Sequence, residues 1–235
     1  MTYQWAAGTH QGRVRSNNED AVHPDAAGRS DDQTMVMVAD GMGGHVAGEV
    51  ASRLAVDAAS STDGSVADRV LAANRAILAQ VDERPHLAGM GTTLTLAVLD
   101  PDLTAHIGHV GDSRAYLLRN GELVQVTADH TVVYEHLQAG RITREEAANH
   151  RQRSMLTRAL GLVPDVDVDV IELPLKTGDR LLLCSDGING MIDDEEIEEA
   201  LGTGTPEEVV WDLIERANRA GGHDNATALV VDVLP

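Results

Sequence analysis

Five aspartates share one kind of position in this sequence. Each lies where an apolar run meets a turn, and four are next to a glycine or one residue from it: Asp20, Asp40, Asp112, Asp186 and Asp224. Carboxylate oxygens are the ligands that Mg²⁺ and Mn²⁺ prefer, and several carboxylates in one place repel each other unless cations bind. The pattern predicts that these side chains converge on a metal centre at the open end of a sheet sandwich. The alternative is a set of unrelated turn aspartates.

The segment around Asp40 shows this pattern most fully. Residues 35–39 form an apolar run typical of a buried strand, Gly41 follows Asp40, and a helical pattern begins after Gly48. An isolated Asp-Gly pair is usually only a turn, so a metal site here needs partners from elsewhere in the chain. A dinucleotide-binding fold is excluded, because Val46 stands where the third glycine of that fingerprint belongs.

Composition limits the classes of function. The 235 residues carry a net charge of −20, which argues against nucleic acids and anionic membranes as partners. No apolar run approaches the length of a membrane span and the first residues lack a signal-peptide pattern, so we expect a cytoplasmic protein without a membrane anchor. The single cysteine, Cys184, excludes an internal disulfide and lies in an apolar run, which predicts a buried thiol.

So acidic a protein would need divalent cations to bind a phosphorylated substrate, because a metal ion inverts the local charge of a carboxylate cluster. Arg15 is a candidate phosphate ligand, since a guanidinium can clamp phosphate oxygens with two parallel hydrogen bonds. The segment 129–158 contains five arginines. It is predicted to be either a substrate-facing flap or a solvated helical hairpin.

The order of elements predicts an α+β fold of antiparallel sheets covered by helices, because strands and helices come in runs rather than in strict alternation. Residues 24–33 are predicted to form a loop. Asp165, Asp167 and Asp169 lack the glycine and glutamate of a calcium loop and predict an exposed strand face. The predicted strands are 3–9, 21–22, 35–39, 92–99, 104–110, 115–118, 123–126, 166–173, 181–184 and 226–233. The predicted helices are 49–61, 66–84, 132–139, 144–150, 195–201 and 206–220.

Six short motifs occur in order along the whole chain. They are Arg15-x-x-x-Glu19-Asp20, Ala39-Asp40-Gly41-Met42-Gly43-Gly44, Gly89-x-Gly91-Thr92-Thr93, Gly111-Asp112-Ser113-Arg114, Ser185-Asp186-Gly187 and Gly222-x-Asp224-Asn225. Together they resemble the signature of the metal-dependent protein phosphatases of the PPM (protein phosphatase 2C) family, in the form of the bacterial catalytic domains that oppose Ser/Thr kinases. The resemblance implies an αββα sandwich, in which helix pairs flank two packed antiparallel sheets. It also implies a single catalytic domain over 1–235, with a helical flap at about 131–158.

The resemblance further implies a centre of two tightly bound Mn²⁺ or Mg²⁺ ions. Asp40 would bridge the two ions, and the Gly41 carbonyl would bind one of them. Asp186 and Asp224 would complete the pair, and Asp20 would act largely through metal-bound water.

Two further roles follow from the same resemblance. Asp112 matches the position that, with Asp186, holds a third and weaker ion. Arg15 matches the arginine that grips the phosphate, so Asp40, Asp20 and Arg15 are the residues expected to carry catalysis.

The activity implied is hydrolysis of phosphoserine and phosphothreonine in proteins by a metal-activated hydroxide, which reverses phosphorylation by Ser/Thr kinases. We expect a monomer that acts on phosphoproteins, with a Ser/Thr kinase as a candidate partner and no nucleic acid. Two alternatives stay open. One is a non-catalytic module of the same fold that binds phosphoproteins, and the other is a phosphatase restricted to a phosphorylated anti-sigma antagonist.

Two positions depart from the family pattern. Met42 stands where some members have a histidine proposed as a general acid, and that role is not transferred to His45. Asn189-Gly190 replaces the hydroxyl residue and aspartate that usually follow the Ser-Asp-Gly motif. This second change predicts a turn of different shape near the metal ligands.

Overall fold

The structure is a computed structural model that describes residues 1–43, 46–148 and 150–235. Gly44 and His45, which belong to the glycine-rich segment after Asp40, lie outside the described residues, as does Asn149. Across the described residues, no helix combines the length and apolar content needed to cross a membrane.

Strands and helices come in runs, as the sequence predicts. The strands of the described residues are β1 Thr2–His10, β2 Asp20–His23, β3 Gly28–Ser30, β4 Thr34–Met42, β5 Gly91–Thr92, β6 Leu94–Leu99, β7 Thr104–Val110, β8 Arg114–Arg119, β9 Glu122–Gln125, β10 Asp169–Pro174, β11 Arg180–Cys184 and β12 Ala226–Leu234. The α-helices of the same residues are α1 Val46–Ser61, α2 Val66–Glu83, α3 Val132–Gln138, α4 Arg144–Ala148, α5 Asp186–Asn189, α6 Asp194–Leu201 and α7 Pro206–Arg219.

The strands form two antiparallel sheets. Sheet 1 has the order β3-β1-β12-β11-β8-β9, and sheet 2 has the order β10-β7-β6-β4-β2, with β5 paired to the end of β4. Strands β1 and β12 pair over their whole length, from Thr2 opposite Leu234 to His10 opposite Ala226. The two ends of the chain therefore meet in the interior of sheet 1.

Side-chain alternation along the strands builds three apolar layers. In β4, Val36 and Val38 lie between the two sheets, whereas Met37 packs against α1 and α2. In β11, Leu183 lies between the sheets and Leu182 packs against α6 and α7. The order of layers is thus helix pair, sheet 2, sheet 1, helix pair, which confirms the predicted αββα sandwich.

The helices that cover sheet 1 begin at residues with side-chain caps. The Thr205 hydroxyl accepts a hydrogen bond from the Glu208 N–H, and the Glu208 carboxylate accepts one from the Thr205 N–H. Pro206 occupies the first helical position, where its missing N–H leaves no partner unsatisfied. Asp193 caps α6 through the same reciprocal bonds with Glu196. The cap of α7 confirms its predicted start at 206, and α6 begins at Asp194, one residue before its predicted start.

Strand β4 is longer than predicted. It continues through Asp40 to Met42, because Gly41 pairs with Thr92 and Met42 pairs with Gly91 of β5. Asp40 is therefore a strand residue with a fixed direction, and not the first residue of a turn.

Three other local predictions differ from the structure. The predicted loop 24–33 contains β3, which pairs with the edge of β1 from Tyr3 to Trp5. Strand β10 begins at Asp169 instead of 166, where its pairing with β7 begins. The residues after Ser185 form the short helix α5, which Gly190 ends.

Candidate active site

Strand alternation carries acidic and hydroxyl side chains into one end of the layer between the sheets. Asp40 follows Val38 on the same face of β4. Asp20 is the direct partner of Asp40 across β2 and β4, and such partners share a face. Ser185 and Thr227 continue the inward faces of β11 and β12 in the same way. The apolar layer therefore ends in a polar cluster.

A cavity of about 750 Å³ opens at this polar end. Its lining includes six of the residues predicted to bind metal or phosphate, namely Arg15, Asp40, Gly41, Asp112, Asp186 and Asp224. Asp20 does not line the cavity and is only 7% exposed. Its charge nevertheless raises the pKa of Asp40, so it belongs to the same electrostatic cluster. The structure thus brings all five predicted aspartates together.

Asp20 is held from sheet 1 although it belongs to sheet 2. Its Oδ2 accepts hydrogen bonds from the Ser185 hydroxyl at 2.7 Å and from the Thr227 hydroxyl at 2.6 Å. Both hydroxyl residues are fully buried. These two bonds tie the sheets together beside the cavity and fix which oxygen of Asp20 remains available.

Two carboxylate oxygens of the cluster lack hydrogen-bond partners. Asp20 Oδ1 and Asp186 Oδ1 are both buried, and neither has a partner among the described residues. A buried acceptor left without a partner is unfavourable, and a bound cation would satisfy it. The residues present therefore fit a divalent cation.

The carboxylates surround the cavity, but the side chains of the described residues alone do not complete the coordination of a metal ion. In residues 1–43, 46–148 and 150–235, no group of three or more Asp, Glu, His or Cys side chains is arranged to hold a metal ion by itself. Mg²⁺ and similar ions keep several waters and use one or two carboxylates, whereas structural zinc takes four protein ligands. The arrangement fits the first type of ion.

Burial raises the pKa of the clustered carboxyl groups. It raises the pKa of Asp20 to about 7, with a further contribution from the charges of Asp186 and Asp224. It raises the pKa of Asp112 to about 8 and that of Asp186 to about 6, again with help from neighbouring carboxylates. Burial and four neighbouring aspartates also hold the pKa of Asp40 well above its usual range. Full ionisation of the cluster is therefore unfavourable without cations.

The backbone of Asp40 is held on both sides. Its N–H donates to the Thr93 hydroxyl at 2.9 Å, and its carbonyl accepts from the Thr93 N–H and the Thr92 hydroxyl. The Thr93 hydroxyl also lies 2.8 Å from the hydroxyl of Ser113, which follows Asp112. This chain of contacts fixes Asp40 relative to Asp112.

Arg15 lies on a loop that the end of the chain holds in place. The amide of Asn225 donates to the carbonyls of Gln11 and Asn17, and its oxygen accepts from the Glu19 N–H. Arg15 Nη2 lies 2.5 Å from Asp224 Oδ2, and half of the arginine side chain is exposed. The guanidinium is thus positioned at the mouth of the cavity, next to a predicted metal ligand.

Gly41 occupies a position where only glycine fits. A Cβ atom at Gly41 would lie 2.1 Å from the Gly48 carbonyl oxygen and 2.6 Å from that of Glu19. The start of α1 can therefore approach β4 closely beside the cavity. This close approach explains why a glycine directly follows Asp40.

The arginine-rich segment faces the site. A second cavity, of about 640 Å³, adjoins the first, and Asp112, Ser154 and Asp186 line both. Leu156 lines the first cavity as well. Because two residues of the segment reach the candidate site, the placement favours a flap over a solvated hairpin.

The end of this segment is anchored through Asp169. Arg158 Nη1 lies 2.6 Å from Asp169 Oδ1, and His130 Nε2 lies 3.2 Å from Asp169 Oδ2. His130 Nδ1 accepts a hydrogen bond from the Gly111 N–H, one residue before Asp112. Asp169 therefore joins the arginine-rich segment to the Asp112 turn, and the prediction that it lies on an exposed strand face is wrong.

Several supporting residues received no role from the sequence. Thr93, Ser185 and Asn225 belong to the quoted motifs, but their partners are distant in the chain. Thr227 lies outside every motif, and its only signal is that it continues the inward alternation of β12. Asn189, predicted to alter the turn, forms part of α5 and accepts a contact from the Cys184 thiol at 3.7 Å.

Comparison with known proteins identifies the family. A sequence profile of protein phosphatase 2C matches residues 7–228. The chain belongs to the protein phosphatase 2C family. It is 44% identical over 243 residues to the serine/threonine protein phosphatase PstP of Mycobacterium tuberculosis, covering 100% of this chain but 46% of that protein. It is 41% identical over 238 residues to the serine/threonine phosphatase stp of Listeria monocytogenes, covering 95% of this chain and 93% of that protein.

Solved structures agree with this assignment to the phosphatase 2C family. A crystal structure of the M. tuberculosis serine/threonine phosphatase PstP/Ppp superposes with a TM-score of 0.92 at 43% identity, covering 100% of both chains. The catalytic domain of PstP in complex with two manganese ions gives a TM-score of 0.89 at 42% identity, covering 100% of this chain and 99% of that one. The resemblance inferred from the motifs is confirmed.

The first prediction for this phosphatase 2C family member concerns Thr227, which donates to Asp20. We expect Thr227→Val to weaken Mn²⁺ binding by about tenfold, the lower end of the 10- to 100-fold that outer hydrogen-bonding groups of a metal site contribute, because Asp20 is expected to act through metal-bound water. Calorimetric titration of metal-free protein with Mn²⁺ measures this effect. Thr227→Ser keeps the hydroxyl and is the matched control. Equal affinities for the valine and serine variants would contradict the role given to Thr227.

The second prediction concerns the pH dependence of metal-free protein. The raised pKa values of Asp20, Asp112 and Asp186 mean that the folded state binds more protons than the unfolded state between about pH 4 and pH 8. The free energy of unfolding should therefore fall as the pH rises through this range. Urea denaturation in EDTA at pH 5.5 and pH 8 measures the change, and Mn²⁺ should restore stability at pH 8. Greater stability of metal-free protein at pH 8 would contradict the burial of these carboxyl groups.

Proposed function

We propose that this protein hydrolyses phosphoserine and phosphothreonine in other proteins. The observation that carries the proposal is the convergence of Arg15 and four aspartates on one cavity, with Asp20 buried beside it and two buried carboxylate oxygens left without partners. Family membership supports it, since the relatives named above are serine/threonine phosphatases. The chain spans 46% of the length of the mycobacterial relative, so the proposal concerns the part of that protein that it matches.

We propose Mn²⁺ or Mg²⁺ as the cofactor. Asp40, the Gly41 carbonyl, Asp186 and Asp224 would hold two ions, with Asp20 acting mainly through water. The two manganese ions bound by the PstP catalytic domain support this number. When bound, such ions supply an activated water and neutralise charge on the phosphoryl oxygens.

We assign a third, weaker ion to Asp112 and Asp186. These two side chains are the aspartates that line both cavities, so an ion between them would lie where the catalytic cavity meets the flap. Asp112 is only 8% exposed, and burial together with the charges of Asp186 and Asp129 raises its pKa to about 8, which a bound cation would offset.

Arg15 would bind and orient the phosphate. Its ion pair with Asp224 keeps the guanidinium extended at the mouth of the cavity, and its half-exposed side chain can turn two N–H groups toward a phosphate. A cation bound by Asp224 would compete with Arg15 for that carboxylate, which would release the guanidinium for the substrate. Metal and phosphate binding would then support each other.

The single cysteine of the chain is not available as a nucleophile. Cys184 is fully buried, and burial raises the pKa of its thiol to about 12, so it stays protonated at neutral pH. A thiolate is the reactive form of cysteine. The site therefore fits direct hydrolysis by water and does not fit the covalent route of cysteine-dependent phosphatases.

Every position predicted to bind a metal ion has an oxygen donor. This supports an active enzyme over a non-catalytic module that binds phosphoproteins. We propose that residues 1–235 act as one catalytic unit, with 131–158 as a flap, and that the unit works as a monomer. Its substrates would be phosphorylated proteins, and a Ser/Thr kinase with opposing activity is the partner that this chemistry suggests.

The third prediction tests the reaction. A phosphothreonine peptide should not be hydrolysed in EDTA, and added Mn²⁺ or Mg²⁺ should restore turnover. Asp40→Asn should lower turnover by more than about 100-fold at every metal concentration, because loss of a direct ligand should cost more than the 10- to 100-fold lost with a group that only orients a ligand. Asp57→Asn, an exposed aspartate of α1, is the control. Folded protein that is inactive with both ions would contradict the proposed function.

The fourth prediction separates the third ion from the other two. Asp112→Ala should leave two tight Mn²⁺ ions in a calorimetric titration and lower phosphatase activity, while Asp165→Ala at an exposed position should change neither. Loss of one tight ion in Asp112→Ala would instead place Asp112 in the tightly bound pair.

A further inference from the structure

Exposed apolar side chains gather at the mouth of the catalytic cavity. Val14 is 64% exposed and Leu162 is 49% exposed, and both line the cavity. Met155 and Val163, each next in the chain to a residue of the lining, are 50% and 48% exposed. Exposed apolar side chains beside a cavity are candidates for contact with another molecule, since exposed apolar patches often mark such sites.

The apolar side chains that line the cavity are Val14, Met42, Leu156 and Leu162, and we call them the apolar rim. Met42 and Leu162 both lie close to Gly91, since a Cβ atom there would lie 2.8 Å from Met42 Cε and 3.4 Å from Leu162 Cδ2. The absence of a side chain at Gly91 lets these two members of the rim approach each other.

The loop that carries Leu162 is fixed to the core. Asn74 of α2 is fully buried, and its amide donates to the carbonyls of Val163 and Pro164. Its oxygen accepts a hydrogen bond from the Gly161 N–H at 2.7 Å. A buried polar side chain with three bonds to one loop holds that loop firmly, so Leu162 is presented to solvent by a rigid support.

The other exposed member of the rim is directly linked to phosphate recognition. Val14 precedes Arg15 on the loop that Asn225 holds, and both residues line the cavity. The cavity volume of about 750 Å³ is in the range that encloses a drug-sized ligand, which is larger than one phosphorylated side chain. Room therefore remains for the residues next to the phosphorylated one.

We infer that the apolar rim binds apolar side chains of the substrate next to the phosphorylated residue. The occupant is thus a phosphoprotein segment with residues such as Leu or Val beside its phosphothreonine or phosphoserine. Apolar contacts also avoid a problem of charge, because a protein with a net charge of −20 repels acidic segments. The inference rests on the proposed phosphatase activity and adds a sequence preference to it.

A pair of peptides tests this preference. One carries Leu at the two positions on each side of phosphothreonine, and the other carries Ser at the same four positions. With Mn²⁺ bound, we expect kcat/KM for the Leu peptide to exceed that for the Ser peptide by about fivefold or more, since one methylene in a closed pocket already contributes tenfold and the rim is open.

Variants assign the preference to the rim. In the double variant Val14→Ser/Leu162→Ser the ratio of the two kcat/KM values should fall toward one. The control is Val124→Ser/Val170→Ser, which changes two exposed valines outside both cavities and should keep the wild-type ratio. If the double variant folds poorly, the near-isosteric variant Val14→Thr tests the same ratio of kcat/KM values with a smaller change to the side chain.

Four outcomes would overturn the inference in distinguishable ways. Equal hydrolysis of both peptides by the wild-type protein would exclude an apolar preference while leaving the phosphatase activity intact. A ratio that survives in Val14→Ser/Leu162→Ser would place the preference elsewhere. If the double variant keeps the wild-type ratio of kcat/KM values but has a different molar mass in light scattering, the rim is a contact between copies of the chain. No turnover of either peptide by folded wild-type protein would remove the proposed function itself.

Discussion

The burial of several carboxyl groups at one end of the layer between the sheets is the constraint on which this structure depends. Desolvation and mutual repulsion both oppose their ionisation, as the raised pKa values of Asp20, Asp112 and Asp186 show. Two of their oxygens also lack a partner in the described protein. Divalent cations would relieve the repulsion and supply the missing partners, and they would turn an acidic cluster into a site for an anion.

Buried polar contacts of the surrounding strands and turns hold this cluster in place. Thr93 fixes the backbone of Asp40, Ser185 and Thr227 fix one oxygen of Asp20, and Asn225 fixes the loop of Arg15. Each of these residues lies on or beside a strand, and rigid elements position reacting groups more closely than free loops do. The same principle extends to the mouth of the cavity, where Asn74 supports the loop that carries the exposed Leu162.

The sequence was sufficient for the fold class and for the acidic cluster, because runs of strands predict antiparallel sheets and aspartates at strand ends predict convergence. It was insufficient where the local structure depends on contacts between residues that are far apart in the chain. The extension of β4 to Met42 depends on partners at 91–92, which glycine-rich sequence does not indicate. The bond from Thr227 to Asp20 joins residues 207 positions apart, and local patterns carry no signal for such a pair. Asp169 was misassigned for the same reason, since Arg158 and His130 become its partners only in the folded chain.

The central claim is that the converging aspartates form a divalent cation site. Anomalous diffraction from crystals of the protein grown with Mn²⁺ tests it directly, because the scattering locates the ions without any assumption about activity. We expect two strong peaks in the cavity lined by Asp40, Gly41, Asp186 and Asp224, and a weaker peak between Asp112 and Asp186. Well-diffracting crystals with no manganese peak in this cavity, or with peaks only at other acidic surfaces, would contradict it.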